Sequence, residues 1–277
     1  MLTNRLLILK RTKYLIITLS TLFISQICYG EEMLRLSSSD QIYQAFGRQI
    51  IDDVSTVHHI SVDVYPTYSR CALGRLVNGF SDIAAITHHI GYQMKAYGYV
   101  EIPFCRDPIA VIVNTETAVT SLTDKEFQGI FNRQITNWKE VGGADKDIIL
   151  VIPGKNTEMY RNFYHTAMNR LPIQYDYIAY KSTNTIEAVK RFNGAISFIA
   201  RGAVFNEPGV TILNINGMSP GEPAYPYYQT FSFVTKGQPE GAAERLINMA
   251  FSEKGKKMIQ EKGMTPIDNA NLLNSLQ

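Results

Sequence analysis

The chain has 277 residues, 45% of them hydrophobic and 19% charged, with a formal net charge of +2. That length accommodates one large domain or two lobes with a substantial core. The near-neutral balance and the lack of any dense Lys/Arg patch argue against nucleic-acid binding.

The N-terminus reads as an export address. Arg5, Lys10, Arg11 and Lys13 precede an apolar run at 14–24, and Cys28 and Gly30 sit at positions −3 and −1 of a cleavage site before Glu31. The run is short for a transmembrane span. A lipoprotein would need a small residue before Cys28, and Ile27 stands there. Residues 1–30 are therefore expected to be a cleavable signal peptide, placing the protein in the periplasm. Cys71 and Cys105 then remain in an oxidising compartment, either as one disulfide or as two separate buried thiols.

Strand and helix alternate after the leader. A strand is expected at 34–37, a helix at 42–54 with Ile42, Phe46, Ile50 and Ile51 on one face, a strand at 60–65, a helix at 71–80 and a buried strand at 83–86. An apolar strand follows at 109–113. Thr123 with Glu126 forms a capping box for a helix at 123–131 that carries Phe127, Ile130 and Phe131 on one side. Further on come a strand at 148–152, helices at 158–168 and 185–192, strands at 195–199 and 230–234, and helices at 241–251 and 253–262. This pattern predicts an α/β fold with mainly parallel sheets.

Three junctions place hydroxyl side chains between a strand and a helix: Ser37-Ser38-Ser39-Asp40, Thr67-Tyr68-Ser69-Arg70 and Asn156-Thr157. Each alone is an ordinary helix cap. Three of them at strand ends form a candidate anion site, because helix N-termini offer free N–H groups and the positive end of the dipole.

Other chemistries find little support. His58-His59 and His88-His89 are doublets, and adjacent strand residues point to opposite faces, so no metal site is expected. No nucleophile-elbow motif or P-loop occurs, so neither an enzyme nor a transporter ATPase is expected, and no cofactor is implied. Tyr160, Tyr164, Tyr175, Tyr177, Tyr180, Tyr225, Tyr227 and Tyr228 read as surface and hinge packing, with stacking on a sugar or peptide as the alternative.

Residues 121–143 (SLTDKEFQGIFNRQITNWKEVGG) hold the chain's single tryptophan, Trp138. The string resembles the helix and G-x-I-T-N-W-x-x-V-G-G signature of periplasmic phosphate-binding proteins, the capture subunits of phosphate ABC transporters. Val100-Glu101-Ile102-Pro103 with Ala110-Val111-Ile112-Val113-Asn114 resembles that family's crossover. Asn193-Gly194-Ala195-Ile196-Ser197-Phe198 resembles its P-G-A-I-G-Y, and residues 255–266 resemble its C-terminal motif.

The resemblance implies a two-lobe (type II) periplasmic binding fold with a ligand cleft between lobes joined by two crossover strands. Residues 31–112 and 230–277 would form one lobe and residues 113–229 the other. It implies capture of phosphate or a related oxyanion for the membrane permease of an ABC transporter, by a monomer. The alternative is a sensor or interaction protein on the same fold, with altered or lost anion binding.

Carried over by position, Ser38 or Ser39 matches the hydroxyl of the family's first loop, Ser69 the serine of the second, Thr87 a ligand-contacting serine or aspartate, and Thr157 the serine of the third. Two loops depart from the pattern. Tyr68, Arg70 and Cys71 replace small residues in the second. The third, Pro153-Gly154-Lys155-Asn156-Thr157-Glu158, has Pro153 in place of an arginine. Arg70, His88, Lys155 and Arg161 are the substitute cations, Asn156 lies in the same loop, and Asp40 is the one carboxylate proposed to accept a ligand proton.

Overall fold

A computed structural model describes residues 32–204 and 207–268. The expected signal peptide at 1–30 lies outside the described residues. Among the described residues no helix is long and apolar enough to cross a membrane.

The first half opens with strand β1 (Glu32–Ser39). A short helix α1 (Asp40–Ile42) and a π turn at Tyr43–Gly47 lead into helix α2 (Arg48–His58). Strand β2 (Ile60–Thr67), helix α3 (Ser69–Val77), strand β3 (Ile83–Ile86) and helix α4 (Tyr92–Ala96) follow. The continuous helix expected at 42–54 is thus interrupted. The π turn, a form that recurs beside functional sites, falls within it.

Strand β4 (Tyr99–Asn114) is 16 residues long and leads into the second half. There the chain forms strand β5 (Ser121–Leu122), helix α5 (Asp124–Phe131), strand β6 (Ile149–Pro153), helix α6 (Glu158–Thr166), strand β7 (Tyr177–Ala179), helix α7 (Ser182–Arg191) and strand β8 (Ala195–Ala200). A short helix α8 (Arg201–Val204) and strands β9 (Val210–Ile212) and β10 (Asn214–Ile215) come next. Strand β11 (Tyr228–Lys236) returns to the first half, where helices α9 (Gly241–Phe251) and α10 (Glu253–Glu261) and strand β12 (Thr265–Pro266) end the described chain.

The main sheet runs β2-β1-β3-β11-β4-β8-β6-β7, with β9 and β12 also on β4. Its outer strands are parallel: β1 with β2 and β3, and β6 with β7 and β8. Its centre is not. β11 runs antiparallel to β3 and β4, and β8 antiparallel to β4. The expected predominance of parallel pairing is therefore corrected to parallel flanks around an antiparallel spine, because a chain that crosses between halves and comes back must reverse direction.

β4 pairs with β11 from Tyr99 to Pro108 and with β8 from Ile109 to Val113, so one strand serves both halves. The fold is the two-lobe type II binding fold.

Strands in the middle of each half are buried on both faces and read as unbroken apolar runs. On β8, Ile196, Phe198 and Ala200 enter one core cluster while Ala195 and Ile199 enter another. On β3, Ile83 and Ala85 face one cluster while Ala84 and Ile86 face another. Phe163 of α6 stacks on Phe198 of β8 with ring centroids 3.8 Å apart, which seats the start of α6 over the sheet. Burying such a ring contributes about 2–3 kcal/mol.

The Trp138 segment is scaffold. Thr123 Oγ1 accepts from the Glu126 N–H while the Thr123 N–H donates to Glu126 Oε2, so the capping box of α5 is formed. Trp138 is fully buried, and its Nε1–H donates to the Gly194 carbonyl at 2.9 Å. A Cβ on Gly194 would stand 2.1 Å from the Asp147 carbonyl oxygen, and one on Gly143 would stand 2.7 Å from that of Thr117. The motif glycines thus mark close backbone approaches around the indole.

The disulfide does not form. Both cysteines are free: Cys71 is exposed in the first turn of α3, whereas Cys105 is buried on β4 with its Sγ 3.8 Å from Met264 Sδ. Burial pushes the Cys105 thiol well above its ordinary pKa, which keeps it a neutral core group.

Two glycine substitutions separate packing from propensity. Gly194→Ala should lower unfolding free energy in urea by about 2 kcal/mol or more, because the clash is with backbone. Gly74→Ala, in α3 with no atom within 4 Å of the new Cβ, should raise it by about 0.5–1 kcal/mol.

Candidate functional site

Parallel strands end on a common edge in each half. β1 and β2 finish side by side, with Ser39 paired to Thr67, and β3 lies on the other side of β1, pairing Ser38 with Ala85. In the second half β6, β7 and β8 do the same. In such sheets the crevice beyond the strand C-termini is where ligands sit.

A cleft of about 590 Å³ occupies that position. Its walls include Ser39, Asp40, Gln41, Gln44, Thr67, Tyr68 and Ser69 from the first half. The loop and first turn of α6, the segment from Ala179 to the first turn of α7, and the end of β8 supply the facing wall.

Four helix starts meet the cleft. At α1, Ser39 is the N-cap and its Oγ accepts from the Ile42 N–H at 3.3 Å. At α6, Thr157 Oγ1 accepts from the Tyr160 N–H at 3.2 Å and donates to the Gly154 carbonyl at 2.6 Å. At α3 and α7 the cap positions are Tyr68 and Lys181, and no side chain caps either helix. The first-turn N–H groups of an α-helix have no intrahelical acceptor, so these two starts keep donors for an anion.

Ser69 and Thr87 are brought together. Ser69 Oγ accepts from the Thr87 N–H at 3.1 Å and shares a hydrogen bond with Thr87 Oγ1 at 3.2 Å, both side chains being buried. Ser69, Ser39, Asn156 and Thr157 line the cleft, as does Asp40. Ser38 is buried one residue behind the wall, its Oγ donating to the Ser39 carbonyl.

The expected cations are placed differently. Arg70 is exposed and lies outside the lining. Arg161 donates through Nη2 to Glu158 Oε1 at 2.5 Å, and His88 Nδ1 lies 3.5 Å from Glu158 Oε2 without hydrogen-bond geometry. Burial lowers the His88 pKa, with Glu158 partly opposing it, so the imidazole is neutral near pH 7. Lys155 lies over the Tyr175 ring. Among the described residues Lys181 is the one Lys or Arg in the lining, which also holds the carboxylates of Asp40 and Glu158. Partial burial raises the Asp40 pKa.

Sequence reasoning missed the α7 start and Glu158. The run Lys181-Ser182-Thr183-Asn184-Thr185 is the same hydroxyl-rich signal as the other junctions, but the strand before it, β7, is only three residues long and went unrecognised. Glu158 is an acidic residue in the first turn of α6, a common feature of helix starts that carries no signal of its own. Among the described residues no group of three or more His, Cys, Asp and Glu side chains could hold a metal ion.

A hydrogen-bonded chain links the cleft to the crossing between halves. Asn162 Nδ2 of α6 donates to the Thr87 carbonyl and to Gln229 Oε1, both at 3.2 Å. Gln229 Nε2 donates to Asp107 Oδ2 at 3.2 Å, and the Gly202 N–H donates to Asp107 Oδ1. Asp107 is buried on β4 one residue before Pro108. Burial raises its pKa to about 7, against the opposing effect of those hydrogen bonds and of Arg201.

The fold and this cleft are those of the two-lobe type II binding fold. The chain belongs to the PBP superfamily, whose domain model matches residues 30–254. It is 24% identical over 215 residues to the phosphate-binding protein PstS of Borreliella burgdorferi, covering 72% of this chain and 77% of that one. It is 29% identical over 168 residues to PstS of Bacillus subtilis, covering 57% and 55%, so the chain spans about half of that relative's length. The structure of an ABC-type phosphate transport receptor from Vibrio cholerae superposes with a TM-score of 0.71 at 22% identity, covering 84% of this chain and 99% of that one.

The raised Asp107 pKa has a signed consequence. The folded state holds a proton near pH 5–6 that the unfolded chain, with an ordinary carboxylate, releases. The stabilisation is complete below about pH 4 and is lost as pH rises through about 7. Stability measured by urea unfolding should therefore fall more steeply between pH 5 and 7.5 in the natural protein than in Asp107→Asn. Equal slopes would show that Asp107 titrates normally.

Proposed function

We propose that this protein is an exported solute-binding protein that captures phosphate or a related oxyanion in the interlobe cleft and presents it to the membrane permease of an ABC transporter. It catalyses no reaction and acts as a monomer in the periplasm. The lobes would divide on β4 between Pro108 and Ile109, where its partner changes from β11 to β8, and again at the start of β11. The convergence of four helix starts on one cleft, two of them uncapped, carries this reading. The phosphate-binding names of the relatives support it.

The chemistry would be that of a neutral-donor site. First-turn N–H groups of α3 and α7 and the hydroxyls of Ser39 and Ser69 supply donors. Asp40 and Glu158 supply acceptors, which suit an oxyanion carrying a proton and repel one that carries none. Hinge closure about the β4 and β11 crossing would enclose the ligand.

A second reading, a transport-independent sensor with altered anion binding, draws on one observation. Arg161 and His88 turn toward Glu158, leaving Lys181 as the one Lys or Arg of the lining among the described residues.

Calorimetric titration with phosphate, arsenate and sulfate tests the first reading. Phosphate and arsenate should bind, sulfate about tenfold or more weaker, and Ser69→Ala should lose about tenfold in phosphate affinity. Absence of heat with every oxyanion at millimolar concentration would leave the sensor reading in its place.

A further inference from the structure

Several features of the cleft exceed what a bare oxyanion uses. Its volume of about 590 Å³ falls within the range of about 300–1,000 Å³ typical of sites for organic ligands. Part of the second-half side of the lining is apolar: Pro153, Met159, Ala179, Ile199 and Ala200 line the cleft beside the polar helix-start residues Thr157, Glu158, Ser182, Thr183 and Thr185. Such apolar surface offers nothing to phosphate oxygens and favours a carbon skeleton.

Two tyrosines line the cleft from opposite sides. Tyr68 immediately precedes α3 and Tyr180 stands two residues before α7, so each sits beside an uncapped helix start. They are 53% and 73% exposed, and among the described residues neither ring has an aromatic, cationic or side-chain hydrogen-bond partner. Gly154 lets the Tyr180 ring lie against the third loop, since a Cβ there would be 3.1 Å from Tyr180 Cδ1. Exposed aromatic rings beside donors for an anion form a two-part surface, polar at the helix starts and apolar beyond them.

The charge balance points the same way. With Asp40 and Glu158 against Lys181 in the lining, side-chain charge compensates a phosphate group weakly, and apolar contact with an attached body would add affinity that charge does not supply.

We propose that the cleft takes an organic phosphate, a monoester whose phosphate group meets the helix starts of α3, α6 and α7 while a small aromatic or apolar body lies on the Met159–Ile199 side between Tyr68 and Tyr180. The ligand class rests on the oxyanion reading of the same cleft. The tyrosines are specificity determinants that touch the body of the ligand and leave its phosphate group alone.

Calorimetric titration with inorganic phosphate and with phenyl phosphate tests this on the natural protein, Tyr180→Ala and Tyr180→Phe. Phenyl phosphate should bind about tenfold tighter than inorganic phosphate. Tyr180→Ala should weaken phenyl phosphate about fivefold while leaving inorganic phosphate unchanged, and Tyr180→Phe should retain the preference. The exposure of Tyr180 keeps folding out of the comparison, which matching melting curves would verify. Equal or tighter binding of inorganic phosphate, or an equal loss of both ligands in Tyr180→Ala, overturns the organic class and leaves the oxyanion reading standing. Failure of both ligands to bind the natural protein overturns both.

Discussion

The continuity of β4 is the constraint on which the rest of the molecule depends. One strand pairs with β11 up to Pro108 and with β8 from Ile109, so the two halves share a backbone ladder. Each half carries its parallel strands to an edge, and the helices that follow them start at the cleft. A strand passing through both sheets holds those edges opposite one another while leaving few bonds to bend. The site is thus a product of topology: no single helix start makes it.

That arrangement also explains where charge resides. Asn162 reaches from α6 to the Thr87 carbonyl and to Gln229, and Gln229 reaches Asp107 at the crossing. Polar groups there are buried but bonded, as burial requires. In the cleft wall Glu158, only 10% exposed at its side chain, holds Arg161 and stands against His88. A carboxylate so little exposed needs such a partner, and meeting that need turns the Arg161 guanidinium away from the lining. On the proposed reading the cleft would rely on backbone donors and hydroxyls, with its rim tyrosines as added contacts.

Much of the fold was legible because the apolar runs are long and their punctuation is unambiguous. The strand at 83–86 and the helix at 241–251 fall where periodicity placed them, and the capping box at Thr123 forms as its spacing implies. What escaped was short or nonlocal. β7 has three residues, too few to show a period, and its loss hid the α7 start with Tyr180 and Lys181. The antiparallel centre depends on where β11 returns, which local pattern does not encode. Between one disulfide and two separate buried thiols the sequence offers only compartment, whereas one thiol is exposed on a helix and the other buried in a strand. For the site, Ser39, Ser69, Asn156 and Thr157 were readable as hydroxyl and amide groups at junctions. The cations misled, because whether Arg161 faces ligand or Glu158 is settled by side-chain geometry one turn into a helix.

Capture of an oxyanion between helix starts of both lobes would be visible directly by amide NMR. In a phosphate titration of the purified protein, the largest ¹H–¹⁵N shifts should fall on the first-turn amides of α3 (Ser69, Arg70, Cys71) and α7 (Ser182, Thr183, Asn184), with further shifts at Thr157 and Glu158. Shifts confined to one lobe, or centred away from these helix starts, would contradict it.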